Sequence, residues 1–388
     1  MGGKRYECKG CGDQKYIYFG CGNTRCPKCQ GLKRMQWQQK LTSRLYQCPY
    51  QHIVFTLPSE LRVLARRHPS LMYNILMRSA WQSLKKSCAD QNELGARPGA
   101  VMVLHTFGSD LKYHVHVHSL VTFGGIDTEG KWRWPKRKNK IVGFRKIRRV
   151  FRLEFLKQFS EVYSQLDTHQ SYEELYTDLT KKQWCVHQEP PTANAKTITQ
   201  YLSKYINRIG LSIQRFAYDQ KYAKVILEHK DYRSQNQSQC SPMISKEMQP
   251  MTAIHQIMQH CLPLYFQKTR YYGIHSSACS KKYKDKLPKK IMAEGRTIKS
   301  IIQLISQMLG YDITSCQKCG SSEIKTESIK SDNKWILRYI KIPAKNKDPT
   351  KQMSYNPYSK YNYKGNGDTI PAYYQNSDNH LLKPTILE

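Results

Sequence analysis

Between residues 111 and 123 the chain reads LKYHVHVHSLVTF, with polar and apolar positions in alternation. Successive side chains of a strand point to opposite faces, so His114, His116 and His118 share one face and Val115 and Val117 the other. The run from Ser119 to Phe123 suits a covered sheet. A second strand, AVMVLHTF at 100–107, precedes a tight turn at Gly108, Ser109 and Asp110, so the two predict a hairpin with His105 on the neighbouring strand. Shorter strands are predicted at 52–57 (HIVFTL, stopped by Pro58) and 184–189 (WCVHQE). Helical spacing predicts a basic helix from Gly31 to Leu45. It also predicts a long helical region over 61–94 that Gly95, Pro98 and Gly99 break, and helices between Lys146 and Leu179. Strands and helices in this mixture predict an α+β fold.

Three imidazoles in register need an explanation. A polar, solvent-facing side of an edge strand is the plain one. The covered continuation of the strand favours partners instead, and a metal ion is the commonest partner for clustered histidines. His116, His118 and His114, with His105 across the hairpin, are therefore the candidate ligands of a divalent ion.

A second centre lies in KTITQYLSKYINRIGLS, residues 196–212. Ile198, Leu202, Ile206 and Ile209 predict an amphipathic helix that Gly210 ends. Tyr201 and Tyr205 lie one turn apart beside this stripe, next to Lys204 and Arg208. Such an aromatic pair usually packs in a core. A phenol edged by Lys and Arg, however, is placed to sit over a phosphate and is helped toward phenolate.

The cysteines add a third centre. Fourteen residues separate Cys8-x2-Cys11 from Cys26-x2-Cys29. Two such knuckles across a short hairpin make a tetrahedral zinc site, and a ribbon with so few apolar residues needs the metal to fold. Cys21 is a spare thiol, a substitute ligand or part of a turn. Cys316-x2-Cys319 is either a pair of free thiols or half a zinc site completed by another segment or chain. Thirteen cysteines in a chain with no apolar signal segment suit a reducing compartment, and the expected location is the bacterial cytoplasm or nucleoid.

Charge names the partner. Across 388 residues, 63 Lys and Arg stand against 29 Asp and Glu, a formal net charge of +34. Such a surplus attracts polyanions, and nucleic acid leads because no apolar run approaches the roughly 18 residues of a membrane span. Residues 131–152 hold eleven of these cations and no acid. Trp132, Trp134, Phe144 and Phe151 interleave with Lys131, Arg133, Lys136, Arg137, Lys138, Arg145, Lys146, Arg148 and Arg149. That mixture suits phosphate contact with base stacking on single strands, although charge runs are often only solvated faces. Gly125-x4-Gly130-Lys131 imitates a P-loop, but Trp132 replaces the required Ser or Thr, which argues against an ATPase or attached helicase.

In their order, the CxxC…CPKC ribbon, HIVFTLP, VLHTFGSDLKYHVHVHSLV, YLSKYINR and TRYYG (269–273) resemble the rolling-circle insertion-sequence transposases of the HUH two-tyrosine class, the IS-ninety-one group. The resemblance spans most of residues 5–275. It implies an antiparallel HUH nuclease domain behind a zinc ribbon. It also implies a divalent Mg²⁺ or Mn²⁺ at His116 and His118, nucleophiles Tyr201 and Tyr205, and a 5′-phosphotyrosine intermediate on single-stranded or hairpin DNA. Glutamine is common in the family where this chain has His105. The family also carries a longer segment ahead of the ribbon, which implies a divergent or truncated start here. The domain layout expected is a zinc ribbon (1–47), the nuclease (48–275), an accessory region with the third knuckle (276–342) and a largely disordered tail (343–388). Two other classes stay open. A replication initiator or relaxase shares the chemistry, and a non-catalytic zinc-ribbon DNA-binding protein would leave the histidines and tyrosines without a role.

Overall fold

The computed structural model describes residues 2–20, 31–168, 170–193, 215–231, 242–283, 286–288, 291 and 299–329. The chain divides into two units, one running from Phe19 to Leu304 and one combining Gly2–Tyr18 with the chain from Ile305 onward. The fold is α+β with antiparallel sheets.

The larger unit is built on a sheet of β3 (Tyr50–Thr56), β4 (Arg97–Phe107), β5 (Tyr113–Ile126), β6 (Trp132–Arg133), β7 (Val186–Gln188) and β11 (Thr269–Gly273). Its order is β11-β4-β5-β3-β7, with β6 paired to β5. The alternation read from the sequence governs its two faces. Val115, Val117, Val121 and Phe123 of β5, with Ala100, Met102 and Leu104 of β4 and Ile53 and Phe55 of β3, face one core. α3 (Pro69–Ala89) and α4 (Phe144–Val162) close that core with Leu76, Leu84, Phe151 and Phe155. Phe151 stands edge-on to Phe55 and Trp184 at 5.0 and 5.2 Å, and such aromatic pairs add about 0.5–1.5 kcal/mol each beyond their buried area.

The helical region read over 61–94 is two helices, α2 (Arg62–Arg67) and α3. Pro69 is the reason: it cannot continue a helix but fits the first turn of a new one. α5 (Tyr172–Lys181) begins at Ser171, whose hydroxyl accepts from the Glu174 N–H. The remaining helix of the N-terminal half, α1 (Gly31–Thr42), contributes Leu41 to a second core with Tyr50, Val101 and Leu120 on the opposite face of the sheet.

A three-stranded sheet of β8 (Phe216–Asp219), β9 (Lys224–Lys230) and β10 (Met243–Met248), with α6 (Pro250–Met258), packs on Phe107 and Leu111 at the tip of the β4–β5 hairpin. Arg215 anchors it by donating to Ser109 O at 2.7 Å. Helices α7 (Ser277–Tyr283) and α8 (Ile301–Leu309) follow. In the smaller unit β1 (Gly3–Cys8) pairs antiparallel with both β2 (Gln14–Tyr18) and β12 (Ile324–Ile329).

Among the described residues, no helix is long and apolar enough to cross a membrane. The P-loop imitation is a hairpin: Gly125 on β5 pairs with Arg133 on β6 across a turn holding Gly130 at φ +85°, with no helix after the strand.

Candidate functional site

The histidine face forms where β4 and β5 pair. The register places His105 opposite His116, and Val103 opposite His118. A register shift between His105 and Phe107 bends β4 beside the site, as bulges do next to functional residues. His105, His116 and His118 bring one ring nitrogen each to within 4.8 Å of one another. All three are buried, at 3, 9 and 7% exposure. His114 stands outside this group, partly exposed, its ring centroid 5.0 Å from that of His116.

Hydrogen bonds settle which nitrogens face inward. His116 Nδ1 lies 2.9 Å from the His114 carbonyl, so it carries the proton and leaves Nε2 with its lone pair. Glu189 Oε1 lies 3.2 Å from His52 Nδ1, which makes that nitrogen a donor. His52 Nε2 then accepts from His118 Nδ1 at 2.9 Å, and His118 Nε2 also keeps its lone pair. The two Nε2 atoms converge to 3.0 Å. Two lone pairs at that separation repel, whereas two ligand bonds of about 2.1 Å at right angles would place their nitrogens about 3.0 Å apart. The donor set therefore fits a divalent ion.

Electrostatics agrees. Burial, followed by the charges of neighbouring histidines, holds His105 and His118 well below the ordinary histidine value and His116 at about 3. All three are neutral at physiological pH, the form that ligates metals. His52 and Glu189 were missed in the sequence reading. They form an outer chain that orients His118, a common arrangement around metal-binding imidazoles. The signal was present in HIVFTLP, but only the β3–β5 register reveals it, with Val54 opposite His118.

Tyr201, Lys204, Tyr205 and Arg208 lie outside the described residues. Their nearest described neighbours are fixed on the sheet unit: Thr192 bridges to Tyr50 of β3, and Arg215 holds Ser109.

Of the expected zinc ligands, Cys8 and Cys11 are described, and a second pair of thiols joins them. Pairing of β1 with β12 brings Cys316 and Cys319 to Cys8 and Cys11, all four sulfurs lying within 4.8 Å. Cys21, Cys26 and Cys29 lie outside the described residues. Backbone N–H groups of Cys319 and Lys318 pull the Cys316 thiol down to about 6, toward the thiolate a metal needs.

The basic run is not one arm. Lys131 pairs with Glu129, Arg133 with Asp127, Arg137 with Glu93 and Lys146 with Asp90. Phe151 is core rather than a stacking platform, and Trp132 leans on the second core beside Gly124. Trp134, Lys136 and Lys138 remain exposed. Arg145, Arg148 and Arg149 gather with Arg152, Lys181 and Lys182 around a cleft of about 350 Å³. It lies on the helical side of the sheet, away from the histidines, because α4 packs on the opposite face.

With this geometry in hand, comparison with known proteins is specific. A family model described as "Transposase zinc-binding domain" matches residues 1–57, and one described as "Putative transposase" matches residues 99–283. The chain belongs to the IS91-like transposases with an N-terminal zinc-binding domain. It is 27% identical over 351 residues to the "Transposase for insertion sequence element IS801" of Pseudomonas savastanoi pv. phaseolicola, covering 85% of this chain and 80% of that one. It is 29% identical over 284 residues to "Putative transposase y4qJ" of Sinorhizobium fredii, covering 70% of each. No solved structure matches it.

Proposed function

We propose that this transposase moves DNA by single-strand, rolling-circle chemistry with a tyrosine nucleophile. The observation that carries the reading is the trio of buried, neutral imidazoles, His105, His116 and His118, converging across two paired strands. A Mg²⁺ or Mn²⁺ ion held there would neutralise the non-bridging oxygens of a phosphodiester, and three nitrogen donors favour Mn²⁺.

Tyr201 or Tyr205 supplies the nucleophile. Its phenolic oxygen forms a bond to phosphorus as the bond from phosphorus to the 3′-oxygen breaks, leaving a 5′-phosphotyrosine and a free 3′-OH that takes up a proton. Lys204 and Arg208 assist ionisation of the phenol and hold the phosphate. The second tyrosine permits a second cleavage before the first link is resolved, as strand transfer requires. Outside the reacting centre, the arginine cleft and exposed Trp134, Lys136 and Lys138 bind further backbone, and the zinc module contacts the element's ends. The DNA is single-stranded or hairpin in form, and the reaction takes place in the bacterial cytoplasm or nucleoid.

End-labelled single-stranded DNA pools incubated with Mg²⁺ or Mn²⁺ test the reading. A 5′-linked protein–DNA adduct is expected, lost in Tyr201→Phe/Tyr205→Phe and in His116→Ala. Tight DNA binding without an adduct under every metal condition would overturn it and leave a DNA-binding protein.

A further inference from the structure

The family's zinc-binding stretch covers residues 1–57, yet among the described residues it supplies only two thiols of the four-sulfur cluster. The other two come from Cys316 and Cys319, more than three hundred residues on. The two knuckles are built alike. In Cys8-Lys9-Gly10-Cys11-Gly12 the Gly12 N–H donates to Cys8 O at 2.8 Å, and in Cys316-Gln317-Lys318-Cys319-Gly320 the Gly320 N–H donates to Cys316 O at 2.8 Å. Both glycines are left-handed, at φ +70° and +76°. Each turn aims its two sulfurs at the other: Cys8 Sγ lies 3.5 Å from Cys319 Sγ, and Cys11 Sγ 3.6 Å from Cys316 Sγ. Four thiolates around zinc with bonds of about 2.3 Å stand about 3.8 Å apart, so the donor set fits zinc.

The surrounding structure joins the same two segments. β1 and β12 pair from Gly3↔Ile329 to Cys8↔Ile324, Lys9 N–H donates to Glu323 O at 2.9 Å, and Arg5 pairs with Glu327. Little apolar burial backs this sheet. Among its described residues the buried hydrophobic ones are Cys8 and Cys316 themselves, while Ile17 and Tyr18 are about half exposed, at 54 and 55%.

We infer that the structural zinc of this transposase is held by Cys8, Cys11, Cys316 and Cys319, so that its zinc-binding domain is a composite of two chain segments and closes only when the segment after Ile305 is present. The inference rests on the thiol geometry and is independent of the tyrosine chemistry. It makes the metal a clasp between distant parts of the chain, where a ribbon local to residues 1–57 would be self-sufficient.

Zinc content of the full-length protein, by elemental mass spectrometry, tests this with paired variants. Cys8→Ser/Cys11→Ser and Cys316→Ser/Cys319→Ser should each lose about one zinc per chain, and combining them should lose no more than either alone. The zinc lost with Cys8 and Cys11 should persist in Cys26→Ser/Cys29→Ser. Unchanged zinc in Cys316→Ser/Cys319→Ser, together with its loss in Cys26→Ser/Cys29→Ser, would overturn the assignment. A second measurement needs no variant. After chelation, mild oxidation of the wild-type protein with diamide should give a disulfide-linked peptide pair joining Cys8 or Cys11 to Cys316 or Cys319. Crosslinks from Cys8 and Cys11 exclusively to Cys26 or Cys29 would contradict it.

Discussion

The sheet unit and the thiol unit hold themselves together by opposite means. Around β3, β4 and β5 the chain buries a large aromatic and aliphatic core, and the candidate metal site is a polar row laid on the back of a structure that is already stable. Among the described residues of the proposed composite module little apolar surface is buried, and the cluster of thiols stands where a core would be. On this proposal the first unit would present preformed ligands to a metal and should exchange it without unfolding. In the second, binding free energy and folding free energy are the same quantity.

The largest effect is expected from Phe151→Ala, which empties a fully buried site between Phe55 and Trp184. It should cost the sheet unit about 3–5 kcal/mol by thermal or urea unfolding, with the Co²⁺–thiolate absorption of the other unit unchanged. Loss of that absorption would mean that the two units do not fold independently.

Acid comes next. Burial holds His260 and His275 at about 4, against an ordinary value of 6.5. As pH falls, the unfolded chain takes up these protons before the folded one does. The stability they contribute is present above about pH 6.5 and is lost progressively down to about 4, on the order of 3 kcal/mol for each. The thiol unit should also open in acid, but by protonation of its ligands, so excess zinc should delay its transition and leave that of the sheet unit in place. Equal protection of both transitions by zinc would contradict the separation.

Glu189→Gln is milder. It keeps the size of the group that accepts from His52 but removes its charge, so the chain that orients His118 weakens. Mn²⁺ affinity should fall about 10- to 100-fold with little change in melting temperature. No change in affinity would remove Glu189 from the site. The smallest effect is expected at Gly320, left-handed at φ +76° with open space where a Cβ would go. Gly320→Ala should cost about 1–2 kcal/mol, read as weaker zinc retention against a chelator. At Gly273 in the sheet, also left-handed at φ +58°, an added Cβ would collide with the Pro98 carbonyl oxygen, so the same substitution there should cost more.

The contrast also marks what was legible in the sequence. Alternation around His116 and His118 exposed the strand and its shared face, because that information is local and has a period of two. The turn at Gly108 to Asp110 made the hairpin, and with it His105, readable too. His52 and Glu189 were not, because their place beside His118 depends on strand register between segments far apart in sequence. The place of Cys316 and Cys319 beside Cys8 and Cys11 was hidden for a related reason. Two CxxC knuckles look alike, and spacing favours Cys26 and Cys29 as the nearer partners of Cys8 and Cys11, whereas strand pairing with β12 brings a distant pair beside them. Likewise, Glu93 and Asp90 lie outside the run 131–152, so its composition could not show that they neutralise Arg137 and Lys146.

The metal centre is tested most directly by a Mn²⁺ titration of the full-length protein followed by electron paramagnetic resonance. A Mn²⁺ site is expected that disappears in His105→Ala, in His116→Ala and in His118→Ala, and that persists in Tyr201→Phe/Tyr205→Phe. Equal Mn²⁺ binding by wild-type protein and all three histidine variants would contradict the claim that the paired strands β4 and β5 build a metal centre.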